Sequence, residues 1–475
     1  MDSDIEVWQI MHRFVFLFET CAAALLAVAV LAGGVDAKPV SPSGYRLKAE
    51  EATDYIQSHF YDASTRRYHP SYPAVPGQLP YDLMWGNGVQ FSVLAAAAKE
   101  DPAKYRAVLY EFTDGLTTYW DPQPKGSPPG YNAYCSGPGG TDKYYDDNEW
   151  MVLGYVEAYQ STNDPKFLAL ARATQNFVLS GWDDKLGGGI YWKLDHQSKN
   201  TCSNAPAAAS ALRIDQLTGD REQGAWGMKI KDWTDKTLQD KTNGLFWDNV
   251  NLAGNIGKAK WTYNTALMIR TDTLLYQLRH TEPDLQEAKR MADAGLVAWT
   301  DPATGSLQKT EDATRFTHLF CESLLRLYDV THDVRYLNAV RQQAAFGYKY
   351  ARDPNGGYWD KWVTKPHKPD ETKTLIENAS AARLFWLLAP YPDVAELTEA
   401  GREAAGRGEE ASAESLLRQA VGSDRDAVES RYYLWKVLVR AKKKPEAATE
   451  AARLTTLAQD PALAQRLKSS GWQPQ

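Results

Sequence analysis

Several residue types are scarce in this 475-residue chain, and their scarcity excludes whole classes of protein. The eight histidines are scattered without ligand spacing, so we predict no histidine-built metal site, and no motif suggests a cofactor. Positively charged residues are also fewer than negatively charged ones. The 53 Lys and Arg residues against 60 Asp and Glu give a net charge of −7, which argues against a nucleic-acid partner bound by general electrostatics.

Cysteine is equally rare, with four in the chain, and Cys21 lies in a leader-like N-terminal segment. The odd remainder allows at most one internal disulfide. Cys135 and Cys202 lie in stretches rich in Gly, Ser and Asn, whereas Cys321 lies in a helical pattern. We therefore expect a Cys135–Cys202 disulfide, with three free thiols as the alternative.

Long apolar runs occur only near the N-terminus. The stretch Cys21–Leu31 is followed by small residues at Gly33–Ala37, a pattern typical of signal-peptide cleavage. We interpret residues 1–37 as a signal peptide with translation starting at Met11, and we predict a secreted or cell-envelope protein that leaves the membrane after cleavage. An uncleaved anchor is the alternative, although the run is short for a spanning helix.

The sequence is rich in aromatic residues, with 16 Trp and 26 Tyr. Such rings suit a carbohydrate groove, because they offer flat apolar faces to sugar C–H groups. An aromatic helical core would explain them equally well. At 43% hydrophobic residues, the chain can bury a sizeable core.

A similar turn interrupts the helical pattern six times between residues 45 and 390. The turns begin at Asp62, Asp121, Asp183, Asp240, Asp301 and Asp353, which are 59, 62, 57, 61 and 52 positions apart. A period of this length fits a two-helix hairpin with its loops. We predict an all-α fold in which six hairpins close into an (α/α)6 barrel, with an open helical solenoid as the alternative. Closure is favoured because the repeat stops at six and because small residues, as in Ala207–Ala211, allow close packing.

The composition changes after Pro390, where aromatics thin out and Ala, Glu and Arg dominate. Asp424 and Asp460 are 36 positions apart, which loosely matches the 34-residue period of tetratricopeptide repeats. We predict a small tetratricopeptide-like helical region over residues 395–468. Two such units bury a continuous face poorly, so we expect the tail to dock on the barrel or to bind a protein partner. A solvated helical tail is the alternative.

The most informative stretch is Tyr144–Trp150, in which Asp146 and Asp147 are bracketed by three aromatic rings at the start of a helical pattern. Adjacent carboxylates beside rings suit glycoside chemistry, in which one acid donates a proton and one carboxylate attacks. The same residues would also cap a helix, since carboxylates are favoured at the positive end of the helix dipole.

Tyr145-Asp-Asp-Asn-Glu-Trp150 resembles the signature of glycoside hydrolase family 76, the endo-α-1,6-mannanases. Cys202–Ala209 resembles the Asn-Ala segment of that family, and Phe316–Phe320 is similar to a later Phe-rich helix. Trp261–Asn264 resembles its Tyr-Asn segment, although Thr265-Ala266 replaces the usual Gln-Gly. The resemblance covers the barrel region.

The resemblance implies a retaining hydrolase of α-mannan or a related oligosaccharide, with Asp146 as nucleophile and Asp147 as acid/base. This division is physically reasonable, because adjacent carboxylates can approach the retaining separation of roughly 5–5.5 Å. The helix N-terminus would keep Asp146 ionised, and the neighbouring charge would raise the pKa of Asp147. We expect further residues to contact substrate, with helix-entry packing or a satisfied core as the alternative for each: Tyr145, Trp150, Trp85, Asn87, Asn204, Tyr263 and Asn264.

Other functions stay open at this stage. A transglycosylase could use the same covalent intermediate, and an unsaturated-uronyl hydrolase could use the same fold. A non-catalytic glycan-binding or scaffold protein would be favoured if the Asp pair lay buried beneath side chains with no groove above it. The second Asp-Asp pair, Asp183-Asp184, lies in a Gly-rich repeat turn, and we interpret it as structural.

Overall fold

A computed structural model describes residues 43–124, 126–135, 142–307, 314–368 and 370–472. Within these residues, twelve α-helices lie before Pro390 and five lie after it. The first twelve are α1 (Gly44–His59), α2 (Met84–Glu100), α3 (Pro102–Gly115), α4 (Tyr145–Thr162), α5 (Pro165–Leu179), α6 (Thr201–Thr218), α7 (Arg221–Leu238), α8 (Thr262–Arg279), α9 (Glu282–Trp299), α10 (Thr314–Thr331), α11 (Val334–Tyr350) and α12 (Leu375–Leu388). The last five are α13 (Val394–Gly406), α14 (Glu410–Ser423), α15 (Val428–Arg440), α16 (Lys444–Leu457) and α17 (Pro461–Ser469).

The first twelve helices form a closed double ring. The even-numbered helices α2 to α12 make the inner ring, in which each helix packs on the next and α12 packs back on α2. Each inner helix also packs on one outer helix, and the first helix of the barrel, α1, pairs with the last, α12. The predicted (α/α)6 barrel is therefore confirmed, and the open solenoid is excluded.

Inner and outer helices differ in burial as their positions require. The inner helix α6 is buried on nearly every side, and its small residues Ala207–Ala211 allow its neighbours to approach closely. The outer helix α7 buries only one stripe, which includes Ile230 and Trp233. A helix buried all round forms the core of a large domain, whereas an amphipathic helix covers it.

At one end of the barrel, inner helices pass to outer helices through very short connections. The helices α4 and α6 end at left-handed residues, Asn163 with φ of 55° and Gly219 with φ of 72°. The next residue, Asp164 or Asp220, caps the following outer helix by accepting a hydrogen bond from its backbone. Asn and Gly tolerate the left-handed conformation and Asp is a strong N-cap, so the sequence fixes this reversal locally.

At the opposite end, the six repeat turns share one hydrogen bond. The leading Asp of each turn accepts from the backbone N–H two residues later, at 2.7–3.1 Å: Asp62 from Ser64, Asp121 from Gln123, Asp183 from Lys185, Asp240 from Thr242, Asp301 from Ala303 and Asp353 from Asn355. This is the Asx turn that makes Asp a frequent turn residue. Asp183 thus has the same structural role as the other five.

The repeat turns are anchored to the inner helices by two further residues. In four repeats, a lysine two positions before the inner helix binds the leading Asp of the turn at 2.5–2.7 Å: Lys143 with Asp121, Lys199 with Asp183, Lys260 with Asp240 and Lys373 with Asp353. In three of these repeats, the fourth helical residue is an asparagine that bonds to both backbone groups of an earlier loop residue: Asn148 with Tyr131, Asn204 with Ile190 and Asn378 with Tyr358. In α8 the fourth residue is Thr265, whose hydroxyl accepts from Phe246 N at 3.1 Å.

Short strands stiffen the loops at this end. Four sheets are present in the described ranges, all with antiparallel pairing. They pair β1 (Tyr61–Asp62) with β2 (Arg67–Tyr68), β3 (Ser71–Tyr72) with β9 (Lys373–Thr374), β4 (Trp120–Asp121) with β5 (Gly130–Tyr131), and β7 (Asn249–Asn251) with both β6 (Ser198–Asn200) and β8 (Ile256–Gly257). The β3–β9 pair joins the first and last loops of the barrel.

The cysteines do not follow the expected pairing. Cys135, Cys202 and Cys321 are all free thiols. Cys202 is not in a loop but is the second residue of α6, buried against the inner ring, whereas Cys135 accepts a hydrogen bond from Arg67 at 3.3 Å. The Cys135–Cys202 disulfide was therefore a wrong prediction, and the alternative of three free thiols holds.

The helices α13 to α16 each pack on the next, α17 packs on α15, and the tail docks on the outer helix α11 through α14. Arg341 of α11, fully buried, donates to Pro392 O at 2.6 Å, and Gln342 donates to Gly422 O at 2.6 Å. The tail is therefore packed against the barrel, and its resemblance to tetratricopeptide repeats stays a prediction.

The predicted signal peptide, residues 1–37, lies outside the described residues. Across the described ranges, every helix is too short or too polar to cross a membrane.

Candidate active site

A cleft of about 750 Å³ opens at the end of the barrel where the inner helices begin. The second or third residue of five inner helices lines it: Trp85 of α2, Asp146 and Asp147 of α4, Cys202 of α6, Tyr263 of α8 and Phe316 of α10. Because these helices all present their N-termini to the cleft, their dipoles make it favourable for negative charge. The Asp pair thus lies in an open groove, as catalysis would require.

Asp146, the second residue of α4, is held by three donors. Its Oδ1 accepts from Asp147 N at 3.0 Å, and its Oδ2 accepts from the Trp192 indole N–H at 3.0 Å. Limited access to solvent raises its pKa to about 6, while hydrogen bonds from the Cys202 thiol and the Trp192 indole act in the opposite direction. These donors favour the ionised carboxylate.

Asp147 has a different environment, although it is the adjacent residue. No described residue donates a hydrogen bond to its carboxyl. Burial raises its pKa well above the usual range, and the charges of Asp146 and Asp82 raise it further. Asp147 therefore holds its proton more tightly than Asp146, which is the asymmetry that an acid and a nucleophile need.

Asp82 is a third carboxyl close to the pair, and our sequence analysis did not find it. It precedes α2, and its side chain packs against Gly86, where an added Cβ would lie 1.8 Å from Oδ2. Burial raises its pKa to about 7. Its contribution to the site is electrostatic, since its charge makes deprotonation of Asp147 harder.

Four aromatic rings from four inner helices form one wall of the cleft. Tyr263 stacks on Phe316 with centroids 4.3 Å apart, and Phe316 stacks on Trp85 at 5.3 Å. The ring centroids of Trp150 and Tyr263 are 6.2 Å apart. Such a continuous apolar surface beside carboxylates is suited to the C–H faces of a sugar chain.

Glycine fixes the position of Trp150. Gly88 of α2 faces α4, and a Cβ there would lie 2.7 Å from the Cβ of Trp150. Any side chain at Gly88 would push the two helices apart. The close approach brings Trp150 to the same wall as Trp85.

The rim of the cleft comes from loops that the sequence analysis did not assign to the site. Trp192 ends the third repeat turn, Ser198 and Asn200 belong to β6, and Asp248 and Asn249 lie at the start of β7. Trp192 also holds α4 in place, since its carbonyl accepts from Tyr145 N at 2.8 Å. Its position after the Gly188-Gly189 turn, matching Trp247 in the next repeat, is the signal that could have identified it.

Four of the predicted substrate contacts lie outside the cleft. Asn204 is fully buried and uses its amide on Ile190 and Asn200, so it belongs to the frame of the repeat turn. Asn87 is fully buried and donates to Asp82 O and Leu83 O. Tyr145 stacks on Phe177 at 5.0 Å. Asn264 is fully buried and does not line the cleft. These assignments are therefore corrected, whereas Trp85, Trp150 and Tyr263 do line it.

Within the described ranges, no group of three or more His, Cys, Asp or Glu side chains is arranged to hold a metal ion. The chemistry that the cleft can perform with its own residues is acid–base and nucleophilic, centred on Asp146 and Asp147.

Solved structures of similar proteins share this architecture. The GH76 alpha-mannanase BT2949 of Bacteroides thetaiotaomicron is 26% identical with a TM-score of 0.68, and the match covers 73% of this chain and 96% of that one. The GH76A alpha-1,6-mannanase of Salegentibacter sp. HEL1_6 is 23% identical with a TM-score of 0.63, over 73% and 99%. An inactive variant of the latter, with two consecutive aspartates replaced by asparagine, is in complex with alpha-1,6-mannotriose.

Curated relatives include fungal proteins. The Meiotically up-regulated gene 191 protein of Schizosaccharomyces pombe is 24% identical over 385 residues, covering 73% of this chain and 85% of that protein. The mannan endo-1,6-alpha-mannosidase DCW1 of Saccharomyces cerevisiae is 28% identical over 150 residues, covering 29% of this chain and 33% of that protein. The family model for glycosyl hydrolase family 76 matches residues 46–389, which span the whole barrel, and the chain therefore belongs to this family.

Proposed function

We propose that this glycoside hydrolase cleaves α-1,6-mannosidic linkages with retention of configuration, using Asp146 as nucleophile and Asp147 as acid/base. The observation that carries the proposal is the unequal environment of two adjacent carboxyls in an open, aromatic-walled cleft. Asp146 accepts from the Trp192 indole and the backbone, whereas Asp147 has a strongly raised pKa.

The reaction would proceed in two steps. A carboxylate oxygen of Asp146 attacks the anomeric carbon while the glycosidic C–O bond breaks, and the proton of Asp147 passes to the leaving oxygen. Water then attacks the glycosyl–Asp146 ester, its proton returns to Asp147, and Asp146 leaves as carboxylate. In a transglycosylase a sugar hydroxyl would take the place of water, so the first step would be the same.

Relatives support the choice of substrate. The family includes mannanases of the same fold, and one of them is inactive when two consecutive aspartates are replaced and is in complex with α-1,6-mannotriose. The wall formed by Trp85, Phe316, Tyr263 and Trp150 offers several stacked rings to a chain of such sugars. A scaffold function without catalysis is disfavoured, because the pair lines an open cleft.

The roles of the two aspartates can be separated by azide rescue on an aryl α-mannoside or aryl mannobioside. In Asp147→Ala, an activated leaving group needs no proton, so the first step survives and azide should yield a glycosyl azide of retained configuration. In Asp146→Ala no covalent intermediate can form, so no retained product should appear. Rescue of Asp146→Ala with inversion, without retained product from Asp147→Ala, would overturn the assignment.

Product analysis decides between hydrolysis and the alternatives. Digestion of linear α-1,6-mannan should release reducing oligosaccharides whose first anomer is α. Products longer than the substrate would indicate transglycosylation instead, and turnover of unsaturated uronides with none of mannan would favour the other enzyme class.

We also propose that the protein is secreted or held in the cell envelope after cleavage of residues 1–37. The motivation is the apolar stretch Cys21–Leu31 followed by the small residues Gly33–Ala37. N-terminal sequencing of the extracellular protein should start near Lys38. A mature chain that keeps Cys21–Leu31 would indicate an anchor.

A further inference from the structure

A second groove, larger than the catalytic cleft, lies between the barrel and the C-terminal tail. Its volume is about 880 Å³, and its walls come from the barrel helices α1, α11 and α12 and from the tail helices α13, α15 and α17. Grooves of this size are large enough to hold a ligand or a short chain segment. The catalytic mechanism uses none of its residues.

The charges in this groove do not balance. Six carboxylates and four cationic side chains line it, and each cation already has its own carboxylate. The pairs are Lys48 with Asp393 at 3.6 Å, Lys349 with Asp426 at 2.5 Å, Arg402 with Glu399 at 2.6 Å and Arg466 with Glu429 at 2.8 Å. Two carboxylates, Asp424 and Asp460, form no salt bridge with a described residue, although the charges of Arg466 and Lys349 also act on Asp424.

Neither of these carboxylates is satisfied by a side chain of the described residues. Asp424 accepts one hydrogen bond, from Asp426 N at 2.9 Å, and burial raises its pKa. Its chain neighbour Arg425 points elsewhere and donates to the carbonyls of Pro302 and Ala303. Asp460 caps α17 by accepting from Ala462 N and Leu463 N. Each can still accept a charged donor from outside.

A third polar group faces the same groove. Tyr45 is 5% exposed and lines the groove, and its hydroxyl makes no hydrogen bond to the described residues. A tyrosine hydroxyl can both donate and accept, so it is available to a ligand in the groove. The charges of Arg341, Asp393 and Asp424 all act on this hydroxyl, so it lies between the buried guanidinium and the carboxylates of the groove.

The aromatic rings of the groove are poorly placed to bind sugar. Two cations lie over the ring of Tyr348, Lys48 at 5.0 Å and Arg352 at 5.2 Å, and Arg402 lies 5.1 Å from the ring of Tyr433. A sugar would have to displace these cation–π contacts to stack on either ring. The two carboxylates without a salt bridge therefore favour a cationic peptide over a second stretch of glycan.

We propose that this groove binds a short, extended, basic segment of a partner protein, with Lys or Arg side chains on Asp424 and Asp460 and a hydrogen bond to Tyr45. The occupant is defined by charge complementarity, because these groups are what the groove leaves unpaired. The proposal does not rest on the function proposed for the cleft.

The test is fluorescence anisotropy of the full chain with a labelled, end-capped peptide of alternating lysine and glycine. The double variant Asp424→Asn/Asp460→Asn removes both charges but keeps the acceptor oxygen that each turn or cap uses. We expect it to bind at least about tenfold more weakly, and Tyr45→Phe about threefold more weakly. The control Asp184→Asn/Asp232→Asn makes the same change in net charge on exposed residues of the barrel and should bind as the unmodified protein does.

Every outcome decides the proposal. Equal binding by the groove and control variants, or no saturable binding of the basic peptide, would overturn it. So would equal binding of an alternating glutamate–glycine peptide, self-association through the groove that Asp424→Asn/Asp460→Asn abolishes, or binding of an α-1,6-mannooligosaccharide that the groove variant alone loses. Asp146→Asn should bind the basic peptide normally, which separates this surface from the catalytic cleft.

Discussion

The starts of α4 and α6 share the same frame, by which we mean the lysine and the asparagine that anchor each helix to a repeat turn. They differ at their second and third residues. Both helices follow a lysine that binds the leading Asp of a repeat turn, Lys143 or Lys199, and both carry an asparagine as the fourth residue, Asn148 or Asn204. Their second and third residues differ. In α4 these are Asp146 and Asp147, whereas in α6 they are Cys202 and Ser203.

The residues that fix the fold and the residues that carry the chemistry therefore occupy different positions of one repeat. The lysine and the asparagine face the repeat turn and fix where the helix begins. The second residue of each helix, and in α4 the third as well, lines the cleft. A carboxylate pair can therefore be placed there without disturbing the frame.

The largest effect should come from the second and third residues of α4. Asp146→Asn and Asp147→Asn should each fold normally, and each should lose about 10³-fold or more in kcat/KM on α-1,6-mannan, because nucleophile and acid act in the transition state. Ser203→Ala changes the equivalent third position of α6 and should retain most activity. Steady-state kinetics with circular dichroism would check this, and near-normal turnover by either Asn variant would refute the assignment.

Breaking an ion pair of the frame should lower the free energy of unfolding. Asp353 and Lys373 form an ion pair in which both side chains are at most 5% exposed. Asp353→Ala leaves a buried lysine without its partner and should cost about 3–5 kcal/mol of unfolding free energy. The exposed pair of Arg66 and Asp114 gives the control, since Asp114→Ala should cost about 1 kcal/mol or less. Urea denaturation measures both, and similar losses would show that the lysine frame is dispensable.

A smaller loss is expected at the asparagine of the frame. Asn204→Ala removes both bonds to the buried backbone of Ile190 and should cost about 1–3 kcal/mol. The exposed Asn176 of α5 is the control, because Asn176→Ala should stay within about 0.5 kcal/mol. If Asn204→Ala kept its stability and instead raised KM alone, the substrate contact first expected of Asn204 would be restored.

The sequence predicted the barrel because its signal is periodic. The six leading Asp residues recur at nearly constant spacing, and each makes the same local hydrogen bond, so no tertiary information is needed to find them. The Asp pair was found because its two residues are adjacent in a distinctive context. The departure at Thr265 also has a local explanation, since its hydroxyl replaces the frame asparagine.

The errors arose where distant segments meet. Asn204 has the chemistry of a sugar ligand, and only the position of Ile190 shows that its amide is already used. Trp192 lies 46 positions from Asp146 and reaches it only because the loop folds over α4. The expected disulfide failed for the same reason, because loop-like composition at Cys202 concealed the start of a helix. A search for lysine followed five residues later by asparagine or threonine would have separated frame from site.

The smallest predicted effect tests how the rim tunes the pair. The Trp192 indole donates to Asp146 Oδ2 at 3.0 Å, which stabilises the ionised carboxylate. Asp146 must be ionised to attack, so kcat/KM should fall as the pH drops below about 6, and the alkaline limb should report loss of the Asp147 proton. Trp192→Phe keeps an aromatic ring but removes the donor, so the pKa of Asp146 should rise. Because Trp192 is 37% exposed, water weakens the effect, and we expect the acid limb to move up by roughly half a pH unit to one unit.

Trp261→Phe is the matched control, since Trp261 lines the same cleft but is not among the groups that set the pKa of Asp146. An acid limb that moves equally in both variants, or that moves down in Trp192→Phe, would show that the indole does not set the ionisation of Asp146.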